Sequence, residues 1–140
     1  MAVQEDVADT IAGFALFADL SAPQREQVAH VFDEAWFSDG ERILRQGFSG
    51  SGLYIILDGA AAIRIDGVDR STLKAGDYFG EISCLLGEPP VADIVAVRAL
   101  RCLVLPSAQV EGFLKAHPLI MFRLLQGEAR RVRTTTKWLS

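Results

Sequence analysis

The sequence predicts a mainly β fold, a double-stranded β-helix (jelly-roll) barrel with helices at both ends. Short apolar runs alternate with turn residues across residues 32–106. Turn signals recur at roughly eight-to-twelve-residue intervals, which is typical of a small sandwich or barrel. Helical periodicity is confined to the two flanking regions, and half of the 140 residues are hydrophobic. A chain of this size can bury a hydrophobic core without disulfides or metal ions to stabilise it, so we predict one domain spanning residues 1–140.

The N-terminal region, residues 1–31, is predicted to be helical. Ser21 and Gln24 have the spacing of a capping box, in which each side chain bonds the backbone of the other residue, so a helix should begin there. The apolar positions before it are too dense for one amphipathic face. They predict a buried connecting turn: Phe14, Leu16, Phe17 and Leu20.

The central region, residues 32–106, contains five runs that predict strands: 43–44, 53–57, 60–65, 94–97 and 103–105. Two dipeptides, Asp58-Gly59 and Asp66-Gly67, separate such runs. Glycine tolerates the positive φ of a tight hairpin, so we predict hairpins at both places.

The C-terminal region, residues 107–140, is predicted to be a hinged pair of helices. Ser107 is the expected N-cap of the first helix, and His117-Pro118 interrupts it because proline disfavours helical geometry at the preceding residue. The second helix carries one apolar stripe: Met121, Leu125, Ala129 and Val132. That stripe suits a homodimer seam or packing on the chain's own barrel equally well. The basic cluster of Arg130, Arg131 and Arg133 is interpreted as a solvated face.

The charge balance and the cysteines limit the partners and the location. The net charge is −4 and the pI is about 5.1, whereas a domain that binds nucleic acid is normally basic. No apolar run is long enough to span a membrane, and the acidic N-terminus is unlike a leader. Cys84 and Cys102 stand in apolar surroundings without metal-ligand spacing. We therefore expect two buried thiols in a cytoplasmic protein with neither nucleic acid nor membrane as its partner.

Catalytic chemistry is not predicted. A metal site in a barrel of this kind needs clustered histidines, but the only two, His30 and His117, fall in the helical regions. No Gly-x-Ser-x-Gly elbow is present, and neither histidine is placed to serve Ser83 or Cys84. The sequence therefore predicts no catalytic residues, no metal site and no enzyme.

Three segments carry a family resemblance: residues 47–59, 75–86 and 89–96. The first is a turn, an apolar strand and a glycine turn; the second contains Phe79-Gly80-Glu81; the third closes that segment and opens a strand. Together they resemble the cyclic-nucleotide-binding domain family, which includes catabolite-activator-type regulators and kinase regulatory subunits. The resemblance implies the jelly-roll barrel and a phosphate-binding cassette, here residues 76–93. The ligand-binding residues it implies are Phe79, Gly80, Glu81, Ile82, Ser83, Pro90, Val91, Ala92 and Asp93, with Trp138 as a possible lid over the base.

The family pattern is only partly kept. It implies that backbone N–H groups after Gly80 face an anion and that Glu81 accepts a hydrogen bond from a ribose hydroxyl. However, the arginine that would hold the phosphate is replaced by Pro90, and the following serine or threonine by Asp93. Proline donates no hydrogen bond, and an aspartate repels an anion. We interpret the other arginines of the barrel region (Arg64, Arg70, Arg98 and Arg101) as solvent-facing rather than as substitutes.

The sequence thus leaves two functional hypotheses. In the first, the chain is a regulatory module in which binding of cyclic AMP or cyclic GMP is lost or weakened. In the second, it is a working cyclic AMP sensor that binds through Gly80, Glu81 and backbone amides. Either way, the implied partner is an attached effector domain or a separate protein, and a homodimer through the C-terminal helix is possible. The ending just after a helix is compatible with a fragment of a longer protein.

Overall fold

The computed structural model describes residues 2–48 and 52–139, and their side chains from 6 to 48 and from 52 to 134. Two four-stranded antiparallel sheets form the body, in the orders β1-β8-β3-β6 and β2-β7-β4-β5. The predicted β barrel with flanking helices is confirmed. The strands are β1 Asp33–Phe37, β2 Arg42–Leu44, β3 Gly52–Asp58, β4 Ala60–Ile65, β5 Val68–Lys74, β6 Tyr78–Phe79, β7 Asp93–Ala96 and β8 Leu100–Pro106.

In the described ranges, five helices flank the sheets: α1 Ala2–Ile11, α2 Ala22–Val31, α3 Glu81–Leu86, α4 Ser107–Ala116 and α5 Pro118–Leu139. The capping box of α2 is present, with the Ser21 hydroxyl accepting from Gln24 N and the Gln24 side chain accepting from Ser21 N. The predicted connecting turn is a 3-10 turn at Ala15–Phe17. At the other end, α4 begins at Ser107 without a side-chain cap, so the predicted N-cap bond is not made.

Two clusters of buried apolar side chains lie on opposite faces of the sheet β1-β8-β3-β6. Alternate residues of β3 face opposite ways: Leu53 and Ile55 pack against the helices, while Ile56 packs between the two sheets. The sheet is therefore buried on both faces, and β3 is an unbroken apolar run for that reason. The second cluster keeps the Cys102 thiol buried, and burial raises its pKa to about 12. Both cysteines are free, but Cys84 is only half-buried, so the prediction of two buried thiols is wrong for Cys84.

One predicted hairpin is correct and the other is wrong. Asp66 and Gly67 both have positive φ and join the paired strands β4 and β5. Asp58-Gly59 does not make a hairpin, because β3 and β4 lie in different sheets. Gly59 (φ 101°) instead turns the chain from one sheet to the other, and a Cβ there would overlap the Ala99 carbonyl oxygen. A dipeptide specifies a tight turn but not the strand with which the next segment pairs.

The apolar stripe of α5 does not pack on the barrel. Met121, Leu125 and Val132 are 40–65 % exposed, whereas Ile120 and Leu124 are buried. Of the two roles left open for the stripe, packing on the chain's own barrel is therefore wrong. Within the described ranges, no helix is long and apolar enough to cross a membrane.

Candidate functional site

A sharp turn at Gly80 positions the candidate site. β6 ends at Phe79, Gly80 adopts the left-handed conformation (φ 86°), and α3 begins at Glu81. A Cβ at position 80 would overlap the Gly52 carbonyl oxygen of β3. Only glycine therefore permits this close approach of the cassette to the sheet.

An open, largely apolar cleft of about 120 Å³ lies against this turn. It is smaller than the roughly 300–1,000 Å³ of ordinary small-molecule pockets. Eight of the nine predicted ligand-binding residues line it, all except Asp93. The complete lining is Leu44, Ile63, Leu73, Tyr78, Phe79, Gly80, Glu81, Ile82, Ser83, Pro90, Val91, Ala92, Ile94 and Arg131.

Pro90 forms part of the wall where the resemblance implies a cation. It is buried, and its carbonyl oxygen accepts a hydrogen bond from Gly47 N at 2.9 Å. Its neighbours Val91 and Ala92 are apolar too. This wall therefore offers no charged side chain to an anion.

Asp93 has a structural environment away from the cleft. One carboxylate oxygen accepts from Gln46 N at 2.7 Å, and the other lies 3.8 Å from Arg42 Nε. The residue begins β7 and these partners lie in or next to β2. Its charge is thus directed to the neighbouring strand, and the expected repulsion inside the cleft has no support from its position.

Glu81 is a buried acid, with 2 % of the residue exposed. Its carboxyl group accepts a hydrogen bond from Arg131 Nη1 at 2.5 Å. Burial raises the pKa of Glu81 to about 8; the neighbouring carboxyl of Glu128 adds to the rise, and the Arg131 guanidinium opposes it. The acid that should meet a ribose hydroxyl is already bonded within the protein.

Arg131 reaches this acid from α5, and its predicted place on a solvated face is wrong. Nη2 donates to the Tyr78 carbonyl oxygen at 2.8 Å, and Nη1 also meets Glu128 at 3.1 Å. The guanidinium lies 4.4 Å from the centre of the Tyr78 ring. The available signal was periodicity, because a helix brings position 131 to the same face as Ile120, Leu124 and Gly127.

The other predicted residues have simpler positions. The Ser83 side chain is buried and its hydroxyl donates to the Glu88 carbonyl oxygen. Arg64 and Arg101 pair with carboxylates elsewhere, and neither lines the cleft. The side chain of Trp138 lies outside the described residues, so its lid role stays a prediction. Where side chains are described, no group of three or more His, Cys, Asp or Glu residues is placed to hold a metal ion.

Comparison with known proteins supports the fold and identifies the family. The family model of the cyclic nucleotide-binding domain matches residues 34–117. A cGMP-dependent protein kinase of Plasmodium berghei (strain Anka) is 30 % identical over 125 residues, which are 89 % of this chain and 15 % of the kinase. The chain therefore spans only a small part of that relative.

Two solved structures share the architecture. The Thermus thermophilus catabolite activator protein has a TM-score of 0.80 at 28 % identity, over 89 % of this chain and 61 % of that one. The regulatory subunit of a cAMP-independent protein kinase A from Trypanosoma cruzi, bound to guanosine, has a TM-score of 0.73 at 25 % identity, over 96 % and 50 %. With the family model matching more than half of its length, this chain belongs to the cyclic nucleotide-binding domain family.

Proposed function

We propose that this chain is a regulatory module of the cyclic-nucleotide-binding fold in which binding of cyclic AMP and cyclic GMP is lost or strongly weakened. The observation that carries the proposal is the wall formed by Pro90, Val91 and Ala92, where a phosphate would need a cation. The module acts by binding rather than by catalysis, on an attached effector domain or a partner protein.

The charges of the described side chains around the cleft favour the same conclusion. Among the side chains that the structure describes, Arg131 is the one cation in the lining, and it already donates to the carboxyl groups of Glu81 and Glu128. A phosphate entering the cleft meets one acid, Glu81, and a guanidinium that is already bonded. Losing an arginine fork costs about 3–5 kcal/mol. That loss weakens binding by about two to four decades.

The helices after the barrel, α4 and α5, transmit a change in the cleft to the effector domain or partner protein. α4 ends at Ala116 and α5 begins at Pro118, so the chain bends at His117 between two otherwise regular helices. α5 contacts the cassette through Arg131, so an event in the cleft can change how α5 is held. Without the usual ligand, the helices stay in one state or respond to another ligand or a protein.

Isothermal titration calorimetry of the 140-residue chain tests the proposal, with cyclic AMP, cyclic GMP and guanosine as probes. We expect no heat of binding from either cyclic nucleotide up to millimolar concentration. Thermal melts of the chain with the same ligands should show no stabilisation. Guanosine tests the other-ligand form of the proposal, because a structural neighbour is described as bound to it. Micromolar binding of either cyclic nucleotide would overturn the proposal.

The second candidate is a working cyclic-nucleotide sensor. Gly80 and Glu81 both line the cleft, and the Plasmodium berghei relative is a cGMP-dependent protein kinase. In this case Glu81 and backbone amides hold the ligand without a cassette arginine. The same titration separates the two candidates, since this one requires micromolar affinity.

Homodimerisation through α5, a cytoplasmic location and the lack of a nucleic-acid partner stay predictions. The exposure of Met121, Leu125 and Val132 supports the dimer. Light scattering during gel filtration of the chain and of a Leu125→Glu variant tests it. A dimer that becomes a monomer in the variant is the expected result; a monomeric parent contradicts the prediction.

A further inference from the structure

We infer that the cleft beside Gly80 binds an uncharged small molecule by enclosing one ring-sized apolar group of it, and that it favours such a ligand over an anion of the same shape. The inference rests on the proposed function and deepens it, because it names the class of ligand that the cleft takes in place of a cyclic nucleotide. Three observations carry it: the apolar lining, the volume of the cleft and the environment that a negative charge would meet there.

One side of the cleft is an aliphatic surface provided by the second sheet. Ile94 of β7 lies opposite Leu44 of β2 and Ile63 of β4, so side chains from three neighbouring strands line the cleft together. Two further lining side chains are exposed: Ile82 of α3 by 41 % and Val91 by 61 %. A ligand that covers Ile82 and Val91 removes apolar surface from water, and this removal favours its binding.

The volume of the cleft fits one ring. An apolar cavity of about 150 Å³ lined by Leu, Ile and Phe takes up one benzene molecule. The cleft measures about 120 Å³, so it can enclose a group of that kind but not the base, sugar and phosphate of a nucleotide together. Because the cleft is open, the other groups of a larger ligand stay at its mouth in contact with solvent.

A negative charge on the ligand would be poorly compensated in the cleft. Pro90 has no N–H group, and the side chains of Val91 and Ala92 are apolar. Arg131 is the one cation among the described lining side chains, and it already donates to Glu81. Burying an uncompensated charge costs far more than burying an uncharged group of the same shape. The lining therefore discriminates against an anion and accepts its uncharged counterpart.

The carboxyl group of Glu81 already experiences this discrimination. Burial raises its pKa from 4.5 to about 8, even though the Arg131 guanidinium acts in the opposite direction. A carboxylate or phosphate on a ligand in the same cleft would meet the same penalty of burial. An uncharged ligand avoids that penalty and leaves the hydrogen bond between Arg131 and Glu81 in place.

Benzamide and benzoate test the inference, because they have nearly the same shape and differ by one negative charge. Each is titrated into the 140-residue chain at neutral pH, and backbone amide chemical shifts in the NMR spectrum locate the binding site. We expect benzamide to shift the amides of Ile82, Val91 and Ala92 with millimolar affinity, because so small a ligand makes few contacts. Benzoate should bind about tenfold more weakly or worse.

Two variants of α3 distinguish the cleft from its surroundings. Ile82→Ala removes an aliphatic side chain from the lining, so we expect it to weaken benzamide binding about threefold or more. Leu85→Ala is the matched control, because Leu85 is another exposed aliphatic residue of α3 but does not line the cleft. It should leave the affinity unchanged. Pro90→Arg adds a cation to the wall and should bind benzoate about tenfold or more tighter than the parent does.

The outcomes are distinct from those of the cyclic-nucleotide titration. Benzoate that binds as tightly as benzamide would overturn the inference, and so would equal weakening of benzamide by Ile82→Ala and Leu85→Ala. Benzamide that shifts none of the cleft amides at tens of millimolar would overturn it too, but would leave the proposed function standing if no cyclic nucleotide binds. If the parent binds cyclic AMP at micromolar concentration, the proposed function fails, and the comparison of benzamide with benzoate still decides which class of ligand the cleft favours.

Discussion

The guanidinium of Arg131 and the carboxyl group of Glu81 meet at 2.5 Å, although fifty residues separate them in the chain. Glu81 opens the cassette helix, and Arg131 belongs to the last helix. Burying an acid is costly unless it is paired, so this contact stabilises both the cassette and the position of α5. The binding cleft and α5 therefore share the hydrogen bond between Arg131 and Glu81.

Replacing Pro90 with arginine should create cyclic-nucleotide binding. Pro90 lines the cleft and supplies no donor, whereas an arginine would offer a charged fork to the phosphate. We expect Pro90→Arg to bind cyclic AMP about two decades or more tighter than the parent in calorimetry. Pro90→Ala is the control, because it removes the proline without adding a cation. Equal affinities of Pro90→Arg and Pro90→Ala would show that this position is not the one that limits binding.

Replacing Asp93 should lower stability without restoring a ligand. Its carboxylate accepts from Gln46 N at 2.7 Å and its side chain is 18 % exposed. Hydrogen bonds to charged groups contribute about 1.5–3 kcal/mol, so Asp93→Ala should lose about that free energy of unfolding in urea. Asp69→Ala is the control, since Asp69 pairs with Arg64 but is 60 % exposed. Its cost should stay below about 1 kcal/mol. Cyclic AMP binding that appears in Asp93→Ala would contradict the structural role.

The pKa of Glu81 predicts a specific pH dependence. The folded protein raises this pKa from 4.5 to about 8, so it binds the proton more tightly than the unfolded chain does. The stability from this group is fully present below about pH 4.5 and is lost as pH rises through 8. The groups that face it are Arg131 and Glu128. Thermal melts of the parent and Glu81→Gln from pH 5 to 9 should show the parent losing stability relative to the variant. Parallel curves would contradict the raised pKa.

Two glycines in neighbouring helices should respond in opposite ways to alanine. At Gly127 a Cβ overlaps the Tyr78 hydroxyl, so Gly127→Ala should displace α5 or the ring and destabilise the protein by about 1–3 kcal/mol. At Gly112 in α4 nothing lies within 4 Å of the added atom. Gly112→Ala should therefore stabilise by about 0.5–1 kcal/mol, through helix propensity alone. Urea unfolding measures both, and stabilisation by Gly127→Ala would mean that α5 does not pack this closely.

The sequence was sufficient to predict the features that depend only on residues close together in the chain. The capping box at Ser21, the break at His117-Pro118 and the Asp66-Gly67 hairpin each follow from residues within a few positions of one another. The apolar run of β3 was read correctly for the same reason. Three strands escaped prediction: β6, which has only two residues, together with β1 and β5. Most side chains of β1 and β5 are exposed or only half-buried. Their pairing with β8 and β4 supplies the stability that their own pattern does not indicate.

By itself, then, the sequence determined the fold class, because the spacing of turns is a local constraint on backbone geometry, and the family resemblance carried by Phe79-Gly80-Glu81 implied the cassette. Only the tertiary structure determined which groups the charged side chains contact. It directs Asp93 toward Gln46 and Arg42, separates β3 from β4, and brings Arg131 to Glu81. These contacts join residues far apart in the chain, and helical periodicity specifies which face a residue occupies but not what that face will meet. The partner of a buried charge is chosen when the elements pack.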